Sequence, residues 1–410
     1  MEKNILNIIA KIIMSRLLLI KNKKNILLIG ILVAIVIFII PDTRSYEKIL
    51  YAYATEIEAT CKTEPYRPTC YDREIPKLMD TGLSMEDTFT VTRLVQEKDD
   101  SYFYCHVLGH NLSAKETAKD PSRWKEVIAR VPSGMCSNGG IHGAFQERFR
   151  AESLPEASIT ELEPVLTDIC LKREGWNPTK LEQATCTHAV GHLTMYVTGG
   201  DIHKSLELCE RVAFNKGGYD FRQICFDGAF MQIFQPLEPE DYVLIKGREQ
   251  SHETINSFCE QFLGAQYGSC RSESWPLFYE EIKTASGLTD FCSFQKDGEQ
   301  KNRCYSGVFY VLTAQFNLDP IKIENFCKQF TQELKSQCFA NAASRMIETD
   351  WSKISDATSL CATAEKYDVG EACYKELLLY SDYNFHADSK ESFLLCSNMP
   401  NSWKRRCLNQ

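Results

Sequence analysis

The chain has 410 residues, 44% apolar and 25% charged, with a formal net charge of −9. That composition excludes a disordered chain and allows one large domain or two ordinary ones. Residues 1–48 carry eight Lys/Arg against three acids, so the rest nets −14 and is a poor nucleic-acid partner, since phosphates need a basic face.

Taken in chain order, residues 1–24 are basic, with Ile5, Ile8, Ile9, Ile12 and Ile13 at helical spacing. This predicts either a short interfacial helix on the inner leaflet or a disordered segment. Ile26 to Ile40 is an uncharged, apolar run closed by Pro41, and Asn25 and the preceding lysines can snorkel to complete a span. Residues 25–41 are therefore the expected transmembrane anchor. Six of the eight basic residues precede it, which places the N-terminus in the cytoplasm and everything after Pro41 outside, in the periplasm or at the cell surface. Residues 42–100 read as a stalk with one small loop, Cys61–Cys70.

All 18 cysteines follow the apolar run, and no C-x-x-C occurs. The usual zinc-ribbon, thioredoxin and haem-attachment patterns are thereby excluded. An even, exported set reads as disulfides in an oxidising compartment. From Cys259 onward the gaps alternate between 11 or 12 and 22 or 23. The short gaps pair Cys259 with Cys270, Cys292 with Cys304, Cys327 with Cys338, Cys361 with Cys373 and Cys396 with Cys407. Cys170–Cys186 and Cys209–Cys225 precede them. Cys61, Cys70, Cys105 and Cys136 remain as leftover cysteines.

The first cysteine of each late pair ends an apolar helical stretch, as in Phe258-Cys259 and Phe326-Cys327, and the second opens another. Asp319-Pro320 and Asp350 mark helix starts. The unit is helix, stapled turn, helix, with a period of 34 or 35 residues from Cys270 to Cys407. This spacing, with stretches such as Gly200-Asp201 through Leu208-Cys209, resembles tetratricopeptide or Sel1-type repeats over roughly residues 155–410. The resemblance implies architecture alone: stacked helical hairpins, with no functional residue carried over. The expected fold is all-α, an N-terminal transmembrane helix followed by disulfide-stapled hairpins in an open solenoid or a closed α/α array. Residues 101–235 form a histidine-rich section and 236–410 the C-terminal repeats. The stretch 236–252, with Pro236 and Pro239, is expected to be a longer connection or an edge insertion.

Five of the eight histidines fall in three related segments: Cys105-His106 to His110, Cys136 to His142, and Cys186-Thr-His188 to His192. Each segment opens with a cysteine at a helix start. Two histidines four apart share one helical face, and His142 and His192 both lie six residues after their cysteine. Stacked repeats bring such positions to one face. The predicted site is a transition-metal centre for Zn, Cu or Fe, with ligands His106, His110, His142, His188 and His192 and a carboxylate, Asp227 or Glu147. The metalloprotease H-E-x-x-H pattern is absent, since Val107-Leu108 and Ala189-Val190 fill the middle. His203, His252 and His386 are expected elsewhere. Phe226, Phe230, Phe234, Phe309 and Tyr310 are expected in the core. No G-x-S-x-G, P-loop or dinucleotide loop occurs. Two function classes follow: an extracytoplasmic metal-binding protein, or a non-catalytic scaffold of the cell envelope with a protein or peptide partner on the repeat surface.

Overall fold

The computed structural model describes residues 43–149, 154–214, 220–237 and 239–408. The predicted interfacial segment and the anchor, residues 1–41, lie outside them. Among the described residues no helix is long and apolar enough to cross a membrane. The chain divides into two compact units, Met1–Glu56 and Ile57–Gln410. The described part of the first is the beginning of the helix Thr43–Cys61; the rest concerns the second.

The second unit is helical throughout its described residues, with two isolated bridges and no strand. All 18 cysteines are bonded, in nine pairs. Seven pairs close hairpins of 11 to 16 residues from Cys170–Cys186 to Cys396–Cys407, Cys61 bonds Cys70, and Cys105 bonds Cys136 across 31 residues. The staples tie neighbouring helices together, several of them, such as Ile255–Cys259 and Pro320–Cys327, too short to be stable alone. Polar caps set the starts. Thr179 and Glu182 form a reciprocal capping box, and Asp201, Asp297 and Asp319 each accept from a backbone N–H of the first turn.

Eight helices form an inner layer: α1 His106–Lys119, α2 Gly139–Phe149, α3 Lys180–Val197, α4 Arg222–Phe234, α5 Gly264–Glu273, α6 Gly298–Gln315, α7 Gln332–Thr349 and α8 Gly370–Asn384. The shorter first helices of the hairpins, such as Ile202–Val212 and Pro320–Cys327, pack outside them. Each inner helix touches the next, α8 returns to α3, and α7 reaches the turn Met135–Asn138 before α2. Lys180 on α3 meets Asp382 on α8 at 2.9 Å. The array is closed, not an open solenoid. The hydrophobic core lies between inner and outer layers, where Phe230 meets Phe262 and Phe309 meets Phe330 edge to face. Phe226, Phe230, Phe234 and Phe309 are buried as expected. Tyr310 is different: its hydroxyl donates to Glu348.

The stretch 57–100, read from sequence as a stalk, is folded into this unit. Its helix Met85–Lys98 buries Met85, Phe89, Val91 and Val95, and Phe89 packs under Gly140 of α2. Within 236–252, expected as a longer connection or an edge insertion, the chain forms a short helix, Pro239–Leu244.

Candidate metal centre

Cys105 is the N-cap of α1, so His106 and His110 stand one turn apart on its first two turns. Cys136, Ser137 and Asn138 have φ of 51°, 49° and 58°, a left-handed run that side-chain-bearing residues enter only at a cost. That run turns the Cys136 carbonyl to His106 Nδ1 at 3.2 Å, and the Cys105–Cys136 bond ties the two helix starts together. α2 then opens with His142 on its first turn.

The helices approach more closely than side chains ordinarily permit. A Cβ on Gly143 would sit 2.0 Å from the His110 carbonyl oxygen, and one on Gly228 would sit 2.0 Å from that of His188. Only glycine fits at either crossing. The near contact of backbones lets short imidazoles from neighbouring helices meet.

They do meet. His106, His110 and His142 are buried, and one ring nitrogen of each lies within 4.8 Å of the others. His142 stands at the middle: its ring centroid is 5.0 Å from those of His106 and His110, 5.4 Å from His192 and 5.7 Å from His188. The five predicted histidines thus form one continuous wall of α1, α2 and α3. Beside it lies a cavity of about 20 Å³ lined by His106, His110, His142, His192, Met231 and Gln232. That is room for a single water-sized guest.

The ring nitrogens are oriented from outside. His106 Nδ1 faces the Cys136 carbonyl, His110 Nδ1 faces Gln146 Oε1 at 3.1 Å, and His192 Nδ1 faces Gln232 Oε1 at 2.8 Å. Those oxygens only accept, so Nδ1 carries the proton and Nε2 keeps the lone pair. This is how proteins fix metal-bound imidazoles. His142 Nε2 is buried and meets no hydrogen-bond partner among the described residues. Burial, reinforced by the neighbouring imidazoles, holds His106 and His142 well below the usual histidine range and brings His188 down to about 3. Burial lowers His192 too, against its bond to Gln232. The lowered groups are in the neutral, ligating form at physiological pH.

The carboxylate expectation needs correction. Asp227 is not brought to the histidines; it pairs with Arg303 at 3.2 Å, and both border a separate cleft shared with Glu273. Burial raises the Asp227 and Glu273 carboxyls, and each is drawn back by Arg303. Glu147 is half-buried and does not line the cavity. The acid that does is Asp241, which accepts from Tyr196 and whose charge raises His192. It escaped sequence reasoning because it comes from the helix Pro239–Leu244, outside the repeat register. Gln146, one turn after His142, and Met231, six residues after Cys225 as His192 is after Cys186, were also overlooked, although the same offsets point to them.

A second buried cluster lies on α6, α7 and α8. Arg345 donates to Glu348 at 3.0 Å and stacks 3.5 Å from the Tyr310 ring centroid, while Tyr310 and Tyr380 both donate to Glu348. Burial pushes the Glu348 carboxyl up to about 8 and brings Arg345 down to about 10. Tyr104 hydrogen-bonds Arg345, and its ring lies 5.9 Å from His106, joining this cluster to the histidine wall.

His203 packs on Phe262, and the exposed His252 lies 3.7 Å from Glu281, both apart from the wall. No protein-family model, curated protein or solved structure matches the chain.

Proposed function

We propose that this is an extracytoplasmic protein that holds a transition metal ion, Zn, Cu or Fe, in the imidazole triad His106, His110 and His142. One observation carries the reading: three buried imidazoles converge, with His106 and His110 each turned by an oxygen acceptor on Nδ1. An ion at the centre of the widest such triangle would stand about 2.8 Å from each nitrogen, so the rings must draw in by under an ångström to reach the roughly 2.0–2.1 Å of a zinc–imidazole bond. The small cavity favours a bound ion over an organic substrate, and capture or delivery of metal over turnover.

The nine disulfides support an oxidising location. Residues 25–41 would anchor the chain to the membrane as a single span with a cytoplasmic N-terminus. The hairpin array would be a Sel1-like repeat closed on itself, with its outer surface available to an envelope partner.

Metal analysis of the full chain tests the reading. Purified protein should carry or take up Zn, Cu or Fe at micromolar levels, and His142→Ala should lose the ion held by the triad, read as Zn(II) uptake, while His252→Ala should not. A chain that takes up none of these metals would return the protein to the scaffold class.

A further inference from the structure

The triad leaves part of the histidine wall unused. His188 and His192, one turn apart on α3, place their Nε2 atoms 3.3 Å from each other. Met231, on α4, brings its Sδ to 3.3 Å from His188 Nε2. Two nitrogens bound to one tetrahedral ion at roughly 2.0–2.1 Å stand about 3.3–3.4 Å apart. This pair already has that spacing, closer than the triad.

The protons point the same way. His192 Nδ1 donates to Gln232 Oε1, which leaves Nε2 as a lone pair. The His188 ring bonds the Ile224 backbone carbonyl, while its Nε2 turns to Met231 and His192. Two imidazole lone pairs and a thioether therefore face one point beside the cavity. Met231 also occupies the register of a ligand, six residues after Cys225, as His192 is after Cys186 and His142 after Cys136.

We propose that His188, His192 and Met231 form a second metal site that takes Cu(I), beside the all-imidazole triad. The assignment rests on the reading of this wall as a metal centre. Thioether sulfur is a soft donor that selects Cu(I), whereas an all-nitrogen triad accommodates Zn(II). The donor set is neutral, so a monovalent ion leaves one buried charge where a divalent ion would leave two.

The test is titration of the metal-free full chain, anaerobically with Cu(I) against a colorimetric Cu(I) chelator and separately with Zn(II). Met231→Leu keeps the side-chain volume and should weaken Cu(I) binding by about tenfold or more, as loss of a ligand contact does, with Zn(II) uptake unchanged. X-ray absorption at the copper edge should show a sulfur neighbour that Met231→Leu removes. The double variant His106→Ala, His110→Ala should lose Zn(II) and retain Cu(I). Cu(I) affinity unchanged in Met231→Leu with no sulfur neighbour, or Cu(I) lost only in the double variant, would overturn the assignment. If the chain takes no Zn(II) but binds Cu(I) through Met231, the triad reading fails and the second site stands.

Discussion

Two walls of the same ring solve the problem of buried polar groups in opposite ways. On α6 to α8 a cation, a carboxylate and two phenols satisfy one another: Arg345 meets Glu348, which also accepts from Tyr310 and Tyr380. On α1 to α3 five imidazoles converge with no acid on those helices among them, and the outer nitrogens of His106, His110 and His192 are held by the Cys136 carbonyl, Gln146 and Gln232. The first wall carries its own counter-charge, Arg345 against Glu348. The second is an electron-rich surface that a cation would complete. The scaffold is the same, so the difference lies in which side chains occupy the inward register after each helix-opening cysteine.

The largest effect should come from breaking the ion-paired wall. Arg345→Ala removes a large buried side chain from over the Tyr310 ring and from its bond to Glu348, and truncations of that size cost about 3–5 kcal/mol. The denaturation midpoint reads it, and an unchanged midpoint would mean that the pair does not hold the ring closed.

Staples separate the walls next. In the chain-entropy account, removing Cys105–Cys136, with its separation of 31, costs about 3.7 kcal/mol, and removing Cys396–Cys407, with 11, about 2.8 kcal/mol. The first substitution should also abolish Zn(II) uptake by the triad, because it frees the carbonyl that orients His106. The second should leave metal uptake intact. Equal metal loss from both would show that the centre depends on the whole ring and not on its local tie.

Gly143→Ala should destabilise by about 1–3 kcal/mol, the usual range for overpacking. Its methyl group meets the His110 carbonyl 2.0 Å away and must spread α1 from α2. Metal affinity should fall further than stability. Gly298→Ala, where a Cβ meets nothing, is the control.

The last effect is a dependence on pH. His188 titrates near 6.5 when unfolded and about 3 when folded, and His106 and His142 are also lowered. Below pH 6.5 the unfolded chain binds protons that the folded one refuses, so stability of the metal-free protein falls as pH drops from 6.5 toward 3. His188→Gln should flatten that slope, which denaturation at pH 7 and pH 5 would measure. A slope that persists unchanged would assign it to other groups.

Much of this was legible because it is local. Cysteine spacing predicts the late pairs, helix caps such as Asp319 announce their starts, and the offsets after Cys136 and Cys186 pick out His142 and His192 as neighbours. Local offsets could not show that Asp227 turns to Arg303 while Asp241 borders the histidines, or that Tyr310 leaves the core for Glu348.

By itself, then, the sequence determined the helical hairpins, their staples and the histidines' common face, since each follows from spacing within a few turns of one chain. The tertiary structure decided that α8 closes back on α3 and that residues 57–100 fold into the same unit. It also decided that Met231, Gln232 and Asp241 border the imidazoles. Those outcomes depend on how backbones approach, at crossings such as Gly143 against His110 and Gly228 against His188, and a distance between remote segments has no counterpart in sequence spacing.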